Sequence, residues 1–403
     1  MTTPGVKIPQ RIATTPTARV LALVATLSLN AWAAPPPAPA NPYAKWQHGP
    51  PKDAKFFPVA VWLQEPRNAK RFQDLGFNLF VGLWQGPTAA QLAELKAADM
   101  PVICQQTQLG LTDPNRDLIV GWMHGDEPDN AQSLGAGQGY GAPVKPSEIV
   151  TAYQNLANAD RSRPILLNLG QGVAWDGWHG RGVRSRHPED YPDYLEGCDI
   201  ASFDIYPAVH ENAEVAGKLE LVAGGVDRLR VWGQGRRIVW NCIECTRISN
   251  LKVKPSPAQV RSEVWMSLIH GSQGLIYFVH QFKPKFIEAG LLADAEMART
   301  VGEINLQIHQ LAPVLNLPPL TGAVSVTSSD AHAPVDIMVK QDAAATYIFA
   351  AAMRNQPATA SFKCSQPTAT QAEVLGENRT LALTNGGFTD AFAPYAVHLY
   401  RLH

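Results

Sequence analysis

Short apolar runs recur along the chain from Phe57 onward, and each is followed by a stretch with the hydrophobic spacing of a helix. Several runs are apolar without interruption, which is typical of strands buried on both faces of a parallel sheet. Eight strand–helix units over about 250 residues match the size of a (β/α)8 barrel, whereas open doubly wound sheets more often stop at about five or six strands. The pattern predicts a (β/α)8 TIM barrel with strands at 58–63, 77–84, 101–105, 118–122, 164–169, 199–206, 237–243 and 274–279.

The pattern changes beyond Leu311, where prolines interrupt the chain and short alternating runs follow at 335–340, 346–350 and 395–400. Such alternation is typical of antiparallel strands with one buried face. Asn385 followed by Gly386 is a favourable hairpin turn between two of them. We predict a catalytic barrel over residues 55–315 and a small all-β, sandwich-like domain over 316–403 that covers one side of the barrel.

The first residues carry signals of export. Lys7, Arg11 and Arg19 precede an apolar run at 20–29, and small residues follow at Ala31 and Ala33. The run is shorter than the roughly 20 residues that cross a bilayer, so a membrane anchor is the weaker interpretation. We expect a signal peptide at 1–33, a Pro-rich linker at 34–54 that takes no part in a core, and a secreted or periplasmic protein with no membrane partner after cleavage.

Composition narrows the classes of function. The chain of 403 residues has 34 Lys and Arg against 35 Asp and Glu, a net charge of -1, so it has little attraction for nucleic acid. Ten Trp, ten Tyr and thirteen Phe can fill a large core and still line a cleft. Five cysteines are too few for a disulfide scaffold, and Cys242 and Cys245 would point to opposite faces of one strand, which argues against a zinc or redox pair.

Two glutamates stand out at the predicted carboxyl ends of strands, where barrels of this type build their active sites. Asp126 and Glu127 follow strand four, and Pro128 is expected to hold Glu127 in an extended conformation. Glu244 ends strand seven. Carboxylates on opposite sides of a cleft are what a retaining glycosidase requires, one as acid/base and one as nucleophile, about 5–5.5 Å apart.

Aromatic rings and polar groups at the other strand ends are candidates for binding a sugar, because rings stack on pyranosides and polar groups bond the hydroxyls. Trp62 and Trp84 are as consistent with core packing, whereas Trp175 and Trp178 share a Gly-rich loop that could extend the platform. The predicted substrate contacts are Asp126, Asp204, Tyr206, Trp62, Trp84, Asn168, Trp175, Trp178, Trp240 and His280.

Three segments resemble the clan A glycoside hydrolases, most of all the family 42 β-galactosidases. They are SFDIYP at 202–207, IECT at 243–246 and LIHGSQGLIYF at 268–278. The resemblance implies that Glu127 is the general acid/base, that Glu244 is the nucleophile and that Tyr206 hydrogen-bonds near it. The predicted function is a secreted retaining β-glycosidase that acts on an oligo- or polysaccharide by double displacement, without a cofactor or metal.

One departure keeps a second mechanism open. Clan A enzymes usually have Asn before the acid/base, whereas this chain has Asp126. An Asp-Glu pair at this place, preceded by His124 and Gly125, is also similar to β-N-acetylhexosaminidases that use the 2-acetamido group of the substrate as nucleophile. In that scheme Asp126 orients the acetamide, Glu127 is the acid, and Glu244 has no covalent role.

Other interpretations of the same residues compete with catalysis. Glu127 could be a carboxylate in the first turn of a helix, and Glu244 could be buried in an ion pair with Arg237 or Arg247. His124, Asp126 and Asp129 could bind a divalent ion, although the strong ligand spacings are absent. A non-catalytic carbohydrate-binding barrel is the alternative from a different class of function.

Overall fold

The computed structural model describes residues 41–365 and 369–403. The predicted signal peptide at 1–33 and the beginning of the linker lie outside the described residues.

A parallel sheet of nine strands forms the barrel, and neighbouring strands pair in the order β7-β6-β5-β4-β3-β2-β1-β9-β8. All the strands are short and almost every residue in them is buried, as the uninterrupted apolar runs predict. The strands are β1 (Val59–Trp62), β2 (Leu79–Val81), β3 (Val102–Gln105), β4 (Ile119–Met123), β5 (Ile165–Leu169), β6 (Ile200–Phe203), β7 (Ile238–Val239), β8 (Asn241–Glu244) and β9 (Leu275–Phe278).

The seventh predicted strand is split at Trp240. Its first part, β7, pairs with β6 through Ile200 and Ile238, and its second part, β8, pairs with β9 through Asn241 and Leu275. Because β7 and β8 are consecutive in the chain, this strand joins the two edges of the sheet. The prediction of a (β/α)8 barrel is therefore confirmed, with nine strands observed because one is broken.

A helix follows each barrel strand except β7, which continues into β8. Two helices begin with capping boxes, Thr88 with Gln91 and Ser256 with Gln259, which satisfy free amide groups at the helix start. The helices are α1 (Ala69–Gln73), α2 (Ala89–Ala97), α3 (Gln108–Thr112), α4 (Pro146–Ala159), α5 (Tyr191–Leu195), α6 (Glu220–Trp232), α7 (Pro257–Ile269) and α8 (Ala295–Leu315).

The floor of the barrel, at the amino ends of the strands, is closed by a segment that precedes the first strand. Tyr43 and Trp46 are buried there, and the Tyr43 hydroxyl accepts a hydrogen bond from the Trp240 indole at 2.9 Å and donates one to the Gln273 carbonyl at 3.1 Å. The described part of the predicted linker therefore contributes to the core. Its prolines favour an extended chain, but the burial of its aromatic rings outweighs that preference.

Beyond α8 the chain forms two antiparallel sheets, a three-stranded sheet β10-β13-β16 and a five-stranded sheet β11-β12-β17-β14-β15. The predicted all-β region is confirmed, and Asn385 and Gly386 form a turn with positive φ angles. The strands are β10 (Val324–Ser328), β11 (Val335–Gln341), β12 (Thr346–Ala352), β13 (Ala358–Cys364), β14 (Gln371–Val374), β15 (Arg379–Ala382), β16 (Gly387–Phe392) and β17 (Val397–Leu402).

Alternate residues of the five-stranded sheet face two different cores. Ile348 and Tyr400 belong to the core shared with the three-stranded sheet, whereas Phe349 joins the core of the barrel helices. The Phe349 ring stacks on Trp265 of α7, with ring centroids 5.4 Å apart. As a result α7 is covered by the barrel on one side and by the sheet on the other.

Within the described ranges, no helix is long and apolar enough to span a membrane. All five cysteines are buried free thiols. Cys242 belongs to the barrel interior and Cys245 to the outer core, so the two lie on opposite faces as predicted.

Candidate active site

Three acidic side chains meet at the carboxyl end of the barrel. Asp126 and Glu127 follow β4, Asp204 follows β6, and Asn168 of β5 lies between them. The Asn168 amide donates to Asp126 Oδ1 at 2.9 Å and to Asp204 Oδ1 at 3.4 Å, while its own oxygen accepts from Ser202 Oγ at 2.7 Å. Because Asn168 is buried and satisfied on both sides, it holds the two aspartates in fixed positions.

Glu127 has a left-handed backbone with φ of 42°, so the prediction of an extended conformation is wrong. Its amide donates to the Asn168 carbonyl at 3.2 Å, and this bond outweighs the bias that Pro128 imposes. Glu127 is not in the first turn of a helix, because the next helix begins at Pro146. Non-glycine residues are rarely held in this region, and such strain clusters at functional sites.

The Glu127 carboxylate is positioned by a relay of side chains. The Asn130 amide donates to Glu127 Oε2 at 2.8 Å, and the half-buried Trp178 donates its indole N–H to Asn130 Oδ1 at 2.8 Å. Gly170 packs against this group, since a Cβ at that position would lie 2.8 Å from the Asn130 amide atoms and 3.0 Å from Glu127 Oε1. Trp178, predicted to contact substrate, therefore acts on Glu127 through Asn130.

The charges of the cluster favour a protonated Glu127. Burial raises its pKa well above the usual range, and the neighbouring carboxylates Asp204, Asp126 and Asp129 raise it further. Burial together with Asp126 also raises the pKa of Asp204 to about 7, opposed by hydrogen bonds from Glu127 and Tyr206. Asp126 remains exposed and Glu127 and Asp204 are partly buried, so a ligand can reach all three. A carboxyl group that keeps its proton beside other carboxylates, as Glu127 does, can act as a general acid.

Asp129 and His124 face away from this cluster. Asp129 is fully buried and accepts hydrogen bonds from the Gly170 amide and the Tyr191 hydroxyl, both at 2.9 Å. His124 Nε2 lies 2.8 Å from the Gly197 carbonyl. The three residues considered for a metal thus do not converge, and no group of metal-ligating side chains is found in the described part of the chain.

Glu244 is not brought to the Glu127 cluster. It is fully buried, and its two carboxylate oxygens accept from the Ala208 amide at 2.6 Å and the Val209 amide at 3.1 Å. Glu263 of α7 lies beside it and is also fully buried. Burial raises the pKa of Glu244 to about 8, although the two amides oppose this. Both oxygens of Glu244 thus accept a hydrogen bond from a backbone amide inside the fold.

The ion pair considered for Glu244 is also not formed: Arg237 donates instead to Glu196 at 2.9 Å, and no described arginine pairs with Glu244. Trp240 lies at the barrel floor, so its predicted contact with substrate is wrong. Trp62 belongs to the barrel interior.

Trp175 and His280 are less open than predicted. Trp175 is buried and donates its indole N–H to Glu214 Oε2 at 2.6 Å, so it is not an exposed platform. His280 is buried against Gln64, with the two side-chain nitrogens 3.2 Å apart, and burial lowers its pKa. Only Trp84 among the predicted tryptophans is freely accessible, with 60% of its surface exposed.

A row of rings after β9 was not predicted. Phe278 lies 5.3 Å from the ring of Tyr206, Phe282 lies 6.1 Å beyond it, and Phe286 is 5.5 Å further. Phe282 and Phe286 are 45% and 60% exposed, and the bridge between Gln281 and Ile287 holds them on a short hairpin. The row could have been predicted from the sequence, because the aromatic residues Phe278, His280 and Phe282 alternate there.

No protein-family model matches the chain, and no curated protein matches it. Solved structures do share its fold. A proposed α-galactosidase/melibiase from Bacteroides fragilis matches with a TM-score of 0.54 and 11% identity, over 87% of this chain and 80% of that one. A second proposed α-galactosidase from the same organism matches with 0.52 and 12%, over 87% and 79%. The α-amylase of Geobacillus thermoleovorans, solved with acarbose, matches with 0.51 and 12%, over 89% and 99%.

These similarities establish the barrel fold at identities too low to carry a function. They do not test the resemblance to the family 42 β-galactosidases, which stays a hypothesis. The fold alone therefore does not define the reaction, which depends on the chemistry of the site.

Proposed function

We propose that the chain is a glycoside hydrolase in which Glu127 is the general acid/base. The observation that carries the proposal is the accessible cluster of Glu127, Asp126 and Asp204 at the carboxyl end of the barrel, with Glu127 held by Asn130. A carboxyl group whose pKa is raised by burial and by neighbouring carboxylates can protonate a leaving oxygen at neutral pH. The exposed rings of Trp84, Phe282 and other residues at the same end suit a sugar substrate.

The two mechanisms left open by the sequence differ in their nucleophile. Double displacement from Glu244 would require a carboxylate that faces the substrate, yet both oxygens of Glu244 accept backbone hydrogen bonds inside the fold. The substrate-assisted mechanism needs only the adjacent Asp126 and Glu127. We therefore favour a β-N-acetylhexosaminidase activity over the double displacement with Glu244.

In the favoured mechanism Glu127 donates its proton to the glycosidic oxygen as the bond from C1 to that oxygen breaks. The acetamido oxygen attacks C1 and forms a cyclic oxazolinium ion, while Asp126 accepts a hydrogen bond from the acetamido N–H. Glu127 then removes a proton from water, the water oxygen attacks C1, and the ring opens to the hydrolysed sugar. Asn168 keeps Asp126 in place through its 2.9 Å hydrogen bond.

The test compares aryl β-glycosides that have a 2-acetamido group with those that have a 2-hydroxyl group. Glu127→Gln should lower kcat by at least about a thousandfold, whereas Glu148→Gln, an exposed residue in the first turn of α4, should not change it. Cleavage of acetamido substrates only would support the favoured mechanism. Full activity of Glu127→Gln would refute the role of Glu127, and binding of oligosaccharides without any cleavage would favour a carbohydrate-binding barrel.

A covalent mechanism can be recognised in the same assays. If 2-hydroxyl substrates are cleaved, Asp204 becomes the candidate nucleophile. Among the carboxylates near Glu127, it is the one with the largest effect on the pKa of Glu127. Azide should then restore activity to Asp204→Gly and yield a glycosyl azide. Absence of the azide product together with activity on acetamido substrates would support attack by the acetamido oxygen of the substrate, with Glu127 as the acid/base and Asp126 as the group that orients the acetamide.

We also propose that the protein is exported, on the strength of the signal peptide predicted at 1–33. Sequencing of the amino terminus of protein recovered from the periplasm or medium tests this. A product that begins after Ala33 would support export, and an uncut cytoplasmic chain would contradict it.

A further inference from the structure

A cavity of about 490 Å³ lies at the opposite end of the molecule from the candidate active site. It is bounded by residues that precede barrel strands, such as Gln273 before β9, by the segment 315–322, which begins at the last residue of α8, and by β11. Its size is in the range that binds small molecules. We call it the floor cavity.

The charge of the floor cavity is one-sided. Arg230, Arg237 and Lys340 line it, and none of its lining residues is acidic. Buried charged side chains are normally paired, because an unpaired charge loses its hydration and gains nothing in exchange. Arg237 is paired with Glu196, which lies outside the cavity lining, so the positive charge without a close carboxylate is that of Lys340 and, in part, of Arg230.

Lys340 is the most constrained of these cations. Only 6% of it is exposed, and its ammonium group donates to the Leu317 carbonyl, just beyond the end of α8. That bond uses one of three donors, and Lys340 forms no ion pair with any residue the structure describes. Burial lowers the pKa of Lys340 to about 8, with a smaller contribution from Arg230, so the group remains largely charged at neutral pH.

The two arginines leave further donors available. Arg230 is exposed and lies flat against Gly271, whose missing side chain makes room for the guanidinium group. It donates to the His270 carbonyl at 2.8 Å, and its nearest carboxylate, Asp227, is 3.9 Å away. The Nε of Arg237 is buried and has no hydrogen-bond partner among the described residues.

We propose that the floor cavity binds a small molecule that carries a phosphate or sulfate group, with Lys340 and Arg230 as the anion-binding residues. A doubly charged oxyanion accepts several charge-assisted hydrogen bonds and would supply the missing counter-charge. The apolar part of the wall, which includes Phe57, Leu268 and Met338, would contact the remainder of the molecule. The site is independent of the proposed glycosidase activity.

The experiment measures the melting temperature and the heat of binding of the full chain with two probes, inorganic phosphate and glucose 6-phosphate. Sodium chloride at matched ionic strength and glucose serve as controls. Either probe should raise the melting temperature by about 2 °C or more at saturation, because a ligand that binds only the folded state stabilises it. A shift with glucose 6-phosphate alone would identify a sugar phosphate as the ligand, and a shift with both would identify the oxyanion itself.

Lys340→Met and Arg230→Gln should each abolish the shift, and Lys252→Met, an exposed lysine, should keep it. In sodium chloride Lys340→Met should melt no lower than the wild type, since it removes a buried charge. Arg230 is on the surface of α6, so its replacement tests the site even if Lys340→Met fails to fold. The proposal is overturned if neither probe binds the wild type, or if Arg230→Gln and folded Lys340→Met respond as the wild type does.

Discussion

The buried pair of Glu244 and Glu263 makes the stability of the fold depend on pH. Both side chains are fully buried and lie beside each other, and only Glu244 accepts hydrogen bonds from backbone amides. Two carboxylates in contact inside the protein cannot both be ionised at low cost. The folded pair therefore keeps at least one proton at neutral pH, whereas in the unfolded chain both groups have a pKa of about 4.3 and are ionised.

The sign of the effect follows from these protons. The pKa of the pair is raised in the folded state, so the stability that it contributes is complete below about pH 4 and is lost as the pH rises. One extra proton in the folded state lowers the free energy of unfolding by about 1.4 kcal/mol per pH unit, or about 3 kcal/mol between about pH 5.5 and 7.5. Glu263→Gln should remove this slope, because its amide can donate to an ionised Glu244 and no proton has to be held.

Urea denaturation followed by circular dichroism at several pH values measures the slope. Glu263→Gln should become more stable relative to the wild type as the pH rises, by about 3 kcal/mol over the two units. Glu303→Gln, an exposed residue of α8 paired with Arg299, is the matched control and should run parallel to the wild type. Parallel curves for Glu263→Gln and the wild type would refute the shared proton and reopen a catalytic role for Glu244.

Three further predictions concern the candidate active site. Gly170→Ala should lower kcat by about tenfold or more without changing the unfolding midpoint, because its Cβ would displace Glu127; an unchanged kcat in steady-state assays would contradict this placement. The pH profile of kcat/KM should be bell-shaped. It should rise as Asp204 ionises near its raised pKa of about 7 and fall at higher pH as Glu127 loses its proton. An acid limb near pH 4 would contradict the raised pKa of Asp204. Phe282→Ala and Phe286→Ala should raise KM several-fold for long oligosaccharides but not for aryl monoglycosides, and equal effects on both would indicate that the rings only support the hairpin.

The barrel could be predicted because its signal is local. Each apolar run and the helical pattern after it are complete within about 30 residues, and the helix starts are marked by Thr88 and Ser256. Asp126, Glu127 and Asp204 could be placed at the mouth for the same reason, since each lies within four residues of the end of a strand.

The surroundings of Glu244 could not be predicted in this way. Glu263 looks like a surface residue of an amphipathic helix, but the β-sheet that stacks Phe349 on Trp265 covers the outer side of α7. The strands that cover α7 come much later in the chain, so no feature of the sequence near Glu263 predicts that it is buried. Likewise the left-handed backbone of Glu127 depends on its bond to the Asn168 carbonyl, which the local preference set by Pro128 does not reveal.

The contact between Tyr43 and Gln273 has a consequence for the order of folding. These residues are 230 positions apart, so the amino-terminal segment cannot dock until nearly all of the barrel has been synthesised. Until then the rings of Tyr43 and Trp46 have no core to enter, and the growing chain exposes them. We expect this late docking to slow the final folding step, because long-range contacts form only after a large loss of chain entropy.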